Sequence, residues 1–197
     1  MLKPKPLLIL LGVFVMLAGI SGVCSAFTLL TKEQALDEAF WKGATIQKET
    51  KELTGKVLEN IKRKLGGSLI YYQEGAAEQE MEEKTTYEFY FAVGDDGQRK
   101  QVAVIDSEPG KWGPVEYIVI MTMEGKIMSV KVMSYEETRG RPIARLSYMN
   151  QYRGKDADST LEVGKDIIGI SGATISSISA TFTVKKVLMI YKALYLQ

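Results

Sequence analysis

Between Tyr87 and Tyr135 most of the chain consists of strand formers interrupted by turn sequences, and this pattern constrains the fold more than any other feature. Residues 87–93 and 101–105 flank Gly94-Asp95-Asp96-Gly97, and residues 115–123 and 126–135 flank Glu124-Gly125. β-Branched and aromatic side chains suit a pleated, half-buried surface. Short Gly and Asp links turn such a strand back on itself, so two antiparallel hairpins are predicted. Met121, Met123, Met128 and Met133 lie on these strands and read as core filling, because an unbranched thioether adapts to irregular gaps.

Helical signals stand on both sides of the hairpins. Thr31 followed by Gln34 has the spacing of a capping box and predicts a short helix to Trp41, stopped at Gly43. Thr54 is a second cap candidate, and Val57, Leu58, Ile61 and Leu65 recur at helical spacing before Gly66-Gly67. The glutamate-rich stretch 74–84 carries little apolar surface and reads as a solvated connection. Beyond the hairpins, residues 136–155 hold Arg139, Arg141, Arg145 and Arg153 without clear periodicity, which predicts a loop and a short helix. Residues 171–196 are rich in β-branched side chains at first. Nevertheless Ala173, Ser177, Ala180, Val184, Val187, Leu188, Tyr191 and Leu194 form a stripe at helical spacing, with Lys185 and Lys192 off it. A long C-terminal helix is therefore predicted, and the class is α+β: antiparallel hairpins packed with helices.

The first residues place this domain. Lys3 and Lys5 precede an apolar run that gives way to small residues, including Cys24 and Ala26, before any further charge appears at Lys32. This is the layout of a secretory signal, and it equally suits an uncleaved membrane helix; both put everything after Phe27 on the extracytoplasmic side. The organisation predicted is a signal or anchor over 1–26, a helical lead-in and connection over 27–84, and a main domain over 85–197. The chain has 25 basic and 24 acidic residues, a balance that provides no field for nucleic acid. It has no histidine, and its one cysteine lies in the apolar segment. The exported part thus lacks the usual general base, a thiolate nucleophile, and Cys or His ligands for iron. No independent catalytic residue is identified, and redox chemistry would require a cofactor.

Asp166, Ile168, Ser171, Gly172, Ala173, Thr174 and Ser176 crowd the entrance to the C-terminal helix. Free backbone N–H groups and the positive end of the helix dipole collect there, and Gly172 permits close approach, which together suit a phosphate. The same tetrapeptide alone also reads as an ordinary Ser-capped helix. Its surroundings decide between the two readings. Together with Trp112-Gly113-Pro114-Val115, the Gly125 hairpin, Tyr135-Glu136-Glu137-Thr138-Arg139-Gly140 and Tyr148-Met149-Asn150-Gln151-Tyr152-Arg153-Gly154-Lys155, the sequence resembles the extracytoplasmic FMN-binding domain family. That family occurs in flavin subunits of Rnf-type complexes and sodium-pumping NADH:quinone reductases, and in stand-alone exported proteins.

The resemblance implies an FMN-binding electron carrier. Thr174, the final residue of the Ser-Gly-Ala-Thr signature, would anchor the phosphate through an ester made by a dedicated flavin transferase. Ser171, Gly172 and Ala173 would shape the cradle, and Gly113, Pro114, Glu137, Thr138, Arg139 and Gly140 would lie near the flavin. Its partners would be FMN, the transferase, and membrane or periplasmic redox proteins. The signature's aspartate falls on Ile168, while Asp166 matches only a less constrained acid, so phosphate binding with and without the ester both stand. The competing reading is a flavin-free exported binding or assembly module that retains the fold. The topology has a direct test: a reporter active only in the cytoplasm, fused to Gln197, is expected to be silent.

Overall fold

The computed structural model describes residues 27–76, 81–136 and 143–196. Its centre is a six-stranded antiparallel sheet in the order β1-β6-β5-β4-β3-β2. The strands are β1 (Phe27–Thr28), β2 (Thr45–Glu52), β3 (Thr86–Val93), β4 (Arg99–Pro109), β5 (Pro114–Thr122) and β6 (Ile127–Tyr135). Both hairpins form, with β4 longer at each end than the 101–105 read from the sequence, and residues 110–113 add a third turn that joins them, with Gly110 N donating to Gly113 O at 2.8 Å. Gly125 adopts φ 77°, the left-handed conformation that makes glycine the fitting residue in the β5–β6 turn.

Helices cover both faces of the sheet. On one side lie α2 (Gly55–Lys64), α3 (Leu146–Met149) with the 3-10 turn Asn150–Tyr152, and the 22-residue α4 (Thr174–Tyr195). Tyr87, Phe89, Phe91, Val104, Tyr117 and Met121 point into this larger core. On the other side α1 (Lys32–Ala39) packs Ala35 and Leu36 against Tyr90, Ala92, Ile118, Ile120 and Met133. Of the four methionines, Met121 and Met133 are buried, and Met123 and Met128 pack partly buried against the two cores. Double coverage explains why β5 buries consecutive residues and does not simply alternate.

The lead-in differs from its sequence reading in several details. The capping box of α1 is present, with Thr31 and Gln34 bonding each other's backbone, but the helix ends at Ala39. Phe40 turns extended and takes its ring into the smaller core, leaving Trp41 outside. Thr54 precedes α2 without a side-chain cap bond. Strands β1 and β2 carry no apolar alternation and were not predicted. β2 is an edge strand exposed along most of its length, held by charge pairs such as Lys48 with Glu88 and Arg99 with Glu49. Within the connection at 74–84, Glu83 is a latch, accepting bonds from Lys62, Ser68 Oγ and the Leu69 N–H.

Helix α4 is buried around most of its circumference, including Ser176, Ser177, Ser179, Thr181, Thr183 and Lys186. Buried hydroxyls require partners. Ser177, Thr181 and Thr183 each donate to the carbonyl four residues earlier, at 2.8–3.0 Å. Tyr117 OH reaches Ser179 Oγ at 3.3 Å, and Tyr152 OH meets Thr181 Oγ1 at 2.9 Å. The polar, β-branched first half of the helix therefore serves as a hydrogen-bonded seam.

Lys186 lies deepest. It pairs with Glu108 and with Asp106, the latter at 2.9 Å, and donates to Leu69 O at 2.9 Å. Two carboxylates share one ammonium here. Burial, partly offset by Lys186 and the Tyr71 N–H, pushes the Glu108 carboxyl from 4.5 up to about 7. An acid whose folded value is raised binds a proton that the unfolded chain has released, so stability is lost as pH rises from about 4.5 through about 7. Urea unfolding at pH 5 and pH 8 is expected to show a drop of a few kcal/mol, ~3 at most, with rising pH. The variant Glu108→Gln is expected to flatten that dependence.

Candidate FMN site at the start of the C-terminal helix

The turn before α4 is built by bonds that leave its mouth open. Ala173 N donates to Ile170 O at 2.9 Å, while Ser177 Oγ donates to Ala173 O at 2.9 Å and accepts from Ile170 N at 3.1 Å. Ser177 therefore staples the turn from within. Gly172 has φ 78°, a left-handed conformation strained for any L side chain, and a Cβ there would meet nothing within 4 Å. The backbone needs glycine, and the space above it is free for a ligand to approach.

The cap position tells against the Ser-capped reading. Ala173 occupies it, and the cap residue itself makes no side-chain cap bond. N–H groups in the first turn of a helix have no intrahelical acceptor, and the helix dipole adds positive potential at this end. Thr174, the first helical residue, is exposed, and its hydroxyl makes no hydrogen bond among the described residues. A cavity of about 210 Å³ opens directly on this end, lined by Lys111, Trp112 and residues 172–176. Lys111 Nζ lies 5.2 Å from the centre of the half-exposed Trp112 ring. A cation, an aromatic face, an uncapped helix start and an exposed hydroxyl thus converge on one opening.

Not all the sequence-derived residues meet there. Ser171 and Gly172 are exposed at the turn, and Ala173 is buried beneath it. Gly113 and Pro114 sit at the end of the β4–β5 turn, next to the cavity-lining Lys111 and Trp112 but not among its walls. Gly113 also meets a local packing need, since a Cβ there would overlap the Glu136 side chain. Glu137, Thr138, Arg139 and Gly140 lie outside the described residues. Lys111 was not picked out from sequence. The signal available was its place beside Trp112, within a Gly and Pro turn that the topology brings back to the helix start.

The segment around 148–155 positions the turn. Tyr148 OH reaches Ser177 O and Tyr152 OH, each at 3.3 Å. Gln151 accepts from Ile168 N at 2.8 Å and donates to Ile168 O at 3.2 Å. Lys155 pairs with Asp166 at 2.8 Å, and Asp166 also accepts the N–H groups of Leu161 and Glu162. These bonds outweigh the burial that would raise the Asp166 carboxyl and hold it below its usual value. Asp166 is thereby committed to closing its own loop. Ile168, whose backbone Gln151 clamps, projects its side chain outward and is 77% exposed.

Residues 110–189 match the FMN-binding domain family. The chain is 31% identical over 98 residues to a subunit of the proton-translocating ferredoxin:NAD(+) oxidoreductase complex of Clostridium ljungdahlii, covering 46% of this chain and 53% of that protein. It thus spans about half the length of this curated relative. A solved structure, NqrC of Shewanella oneidensis, superposes with a TM-score of 0.46 at 14% identity, over 72% of this chain and 77% of that one. The family's cofactor is FMN, and the open, uncapped turn fits its phosphate.

Substituting Gly172 tests the cradle. Gly172→Val forces a β-branched side chain into the left-handed region at a cost of roughly 1–2 kcal/mol or more, confined to an exposed turn. The expected result is a folded protein, by circular dichroism, that no longer retains flavin.

Proposed function

We propose that this chain is an extracytoplasmic electron-transfer protein that holds FMN by its phosphate at Ser171, Gly172, Ala173 and Thr174. The observation that carries the proposal is the uncapped start of α4, with an exposed Thr174 hydroxyl facing a cavity that Lys111 and Trp112 also line. The backbone donors of the first turn would hold the phosphate oxygens, and the Thr174 hydroxyl would anchor the group, by hydrogen bond or by ester. Trp112 would offer an aromatic face near the ribityl end, and Lys111 would balance negative charge. Gly113, Pro114 and the 137–140 segment would wall the remainder. Bound FMN supplies one- and two-electron chemistry, and the protein's part is to orient it and shield it.

Location outside the cytoplasm follows in this reading from Lys3, Lys5 and the apolar run, a segment that lies outside the described residues. Among the described residues no helix is long and apolar enough to cross a membrane. Attachment to the membrane would therefore rest on the N-terminal segment. Redox proteins of the membrane or the extracytoplasmic space are the partners proposed, and a flavin transferase is the modifying enzyme.

Ile168 favours one alternative. The exposed isoleucine occupies the position where the family signature has a carboxylate, which suits a flavin-free module that keeps the fold. A threonine hydroxyl is a weak nucleophile near neutrality, so ester formation depends on an enzyme that recognises its surroundings. Because the Ile168 side chain is in solvent and only its backbone is clamped, Ile168→Asp should leave the fold unchanged. On co-expression with a flavin transferase, partial flavinylation of the native chain is expected, with more in Ile168→Asp and none in Thr174→Ala. Intact mass and in-gel fluorescence after denaturation read the bond. If Ile168→Asp binds no flavin in any form, the flavin-free module is the correct reading.

A further inference from the structure

A second cavity, of about 490 Å³, runs along α4 without Lys111 or Trp112 among its walls, and Thr174 lines both openings. Its size lies within the range of small-molecule sites, roughly 300–1,000 Å³. The floor is aromatic: the Tyr71 and Phe182 rings lie 5.3 Å apart with a tilt of 33°. Both residues are tied to the buried charge cluster behind them. Tyr71 N donates to the buried Glu108 at 3.0 Å, and Lys186 Nζ lies 5.7 Å from the Phe182 ring.

The charges at this cavity are unbalanced. Lys64 and the half-buried Lys185 both line it, and neither makes an ion pair or hydrogen bond among the described residues. The carboxylate on the rim, Glu162, is already paired with Lys165 at 2.7 Å. We propose that this cavity is a second binding site, separate from the phosphate cradle, for a small planar aromatic anion. Its ring would lie against Tyr71 and Phe182, and its charge would sit between Lys64 and Lys185.

The site shares Thr174 with the proposed flavin anchor, so the test must separate the two. The full chain in detergent, loaded with FMN and flavin-free, is titrated with 2-naphthoate and with the neutral 2-naphthamide by calorimetry. We expect 1:1 binding of naphthoate to both forms, at least tenfold tighter than the amide. The double variant Lys64→Met/Lys185→Met should erase the difference between the two probes. Ile178→Trp, which fills the cavity, should abolish binding of both without changing flavin content. Equal binding of acid and amide to the native chain, no binding of either, or binding unchanged in Ile178→Trp would overturn the site. Naphthoate binding that disappears on flavin loading would assign the cavity to the flavin itself, overturning a separate site while upholding the flavin reading. A chain that takes up no flavin at all would defeat the flavin reading and leave the naphthoate titration to decide the cavity.

Discussion

Lys186 enters the core as a charge, and the packing of the helical face is arranged around it. Taking an ammonium out of water is costly unless it is paired and fully bonded. Here β4 supplies two carboxylates and the loop after α2 supplies the Leu69 carbonyl. One interaction therefore ties three parts of the chain: the last helix, a central strand and the connection that follows α2. Glu108 extends the network by accepting the Tyr71 N–H, which fixes the loop that walls the larger cavity. Removing Lys186 would leave two carboxylates buried without a counter-charge, a larger penalty than loss of a surface ion pair. The helix that presents Thr174 at one end is thus pinned midway along its length.

From that pinned helix the site follows by short-range steps. Ser177 staples the turn, Tyr148 and Tyr152 brace the first turns of α4, and Gln151 and Lys155 hold the approach through Ile168 and Asp166. Residues that look only weakly informative as a sequence string turn out to support the turn that precedes α4. The site's own chemistry is sparse, being backbone donors, a hydroxyl, a cation and an aromatic face.

The parts of the fold legible in the sequence were those where a local pattern and tertiary packing agree. The turn glycines, the methionines, the capping box at Thr31 and the long C-terminal helix all belong here. β2 was invisible because an exposed edge strand needs no apolar face, and its sequence of Lys, Glu, Gln and Thr is that of a solvated surface. β4 runs on to Pro109, past the end read from the sequence, because Asp106 and Glu108 look like strand enders until Lys186, 78 residues beyond Glu108, provides their partner. For the same reason Lys186 could not be distinguished from its neighbour Lys185 by spacing alone. At the proposed site, the signature drew attention to the Ser171–Thr174 turn, which the structure places at the start of α4, whereas the approach of Lys111 and Trp112 depends on how the β4–β5 turn folds back. That relation is set by the nine-pair register between the two strands, which no local motif encodes.

The short strand β1 is easily passed over. Phe27 pairs with Tyr135 across the sheet edge, their rings lie 6.0 Å apart, and Leu29 N bonds Met133 O at 2.8 Å. β1 covers the outer edge at the end of β6, and at two residues it is too short to template pairing with a further strand. Two residues held by a ring contact and backbone bonds thus act as a clasp that closes one margin of the sheet and keeps that margin from recruiting a neighbour's strand.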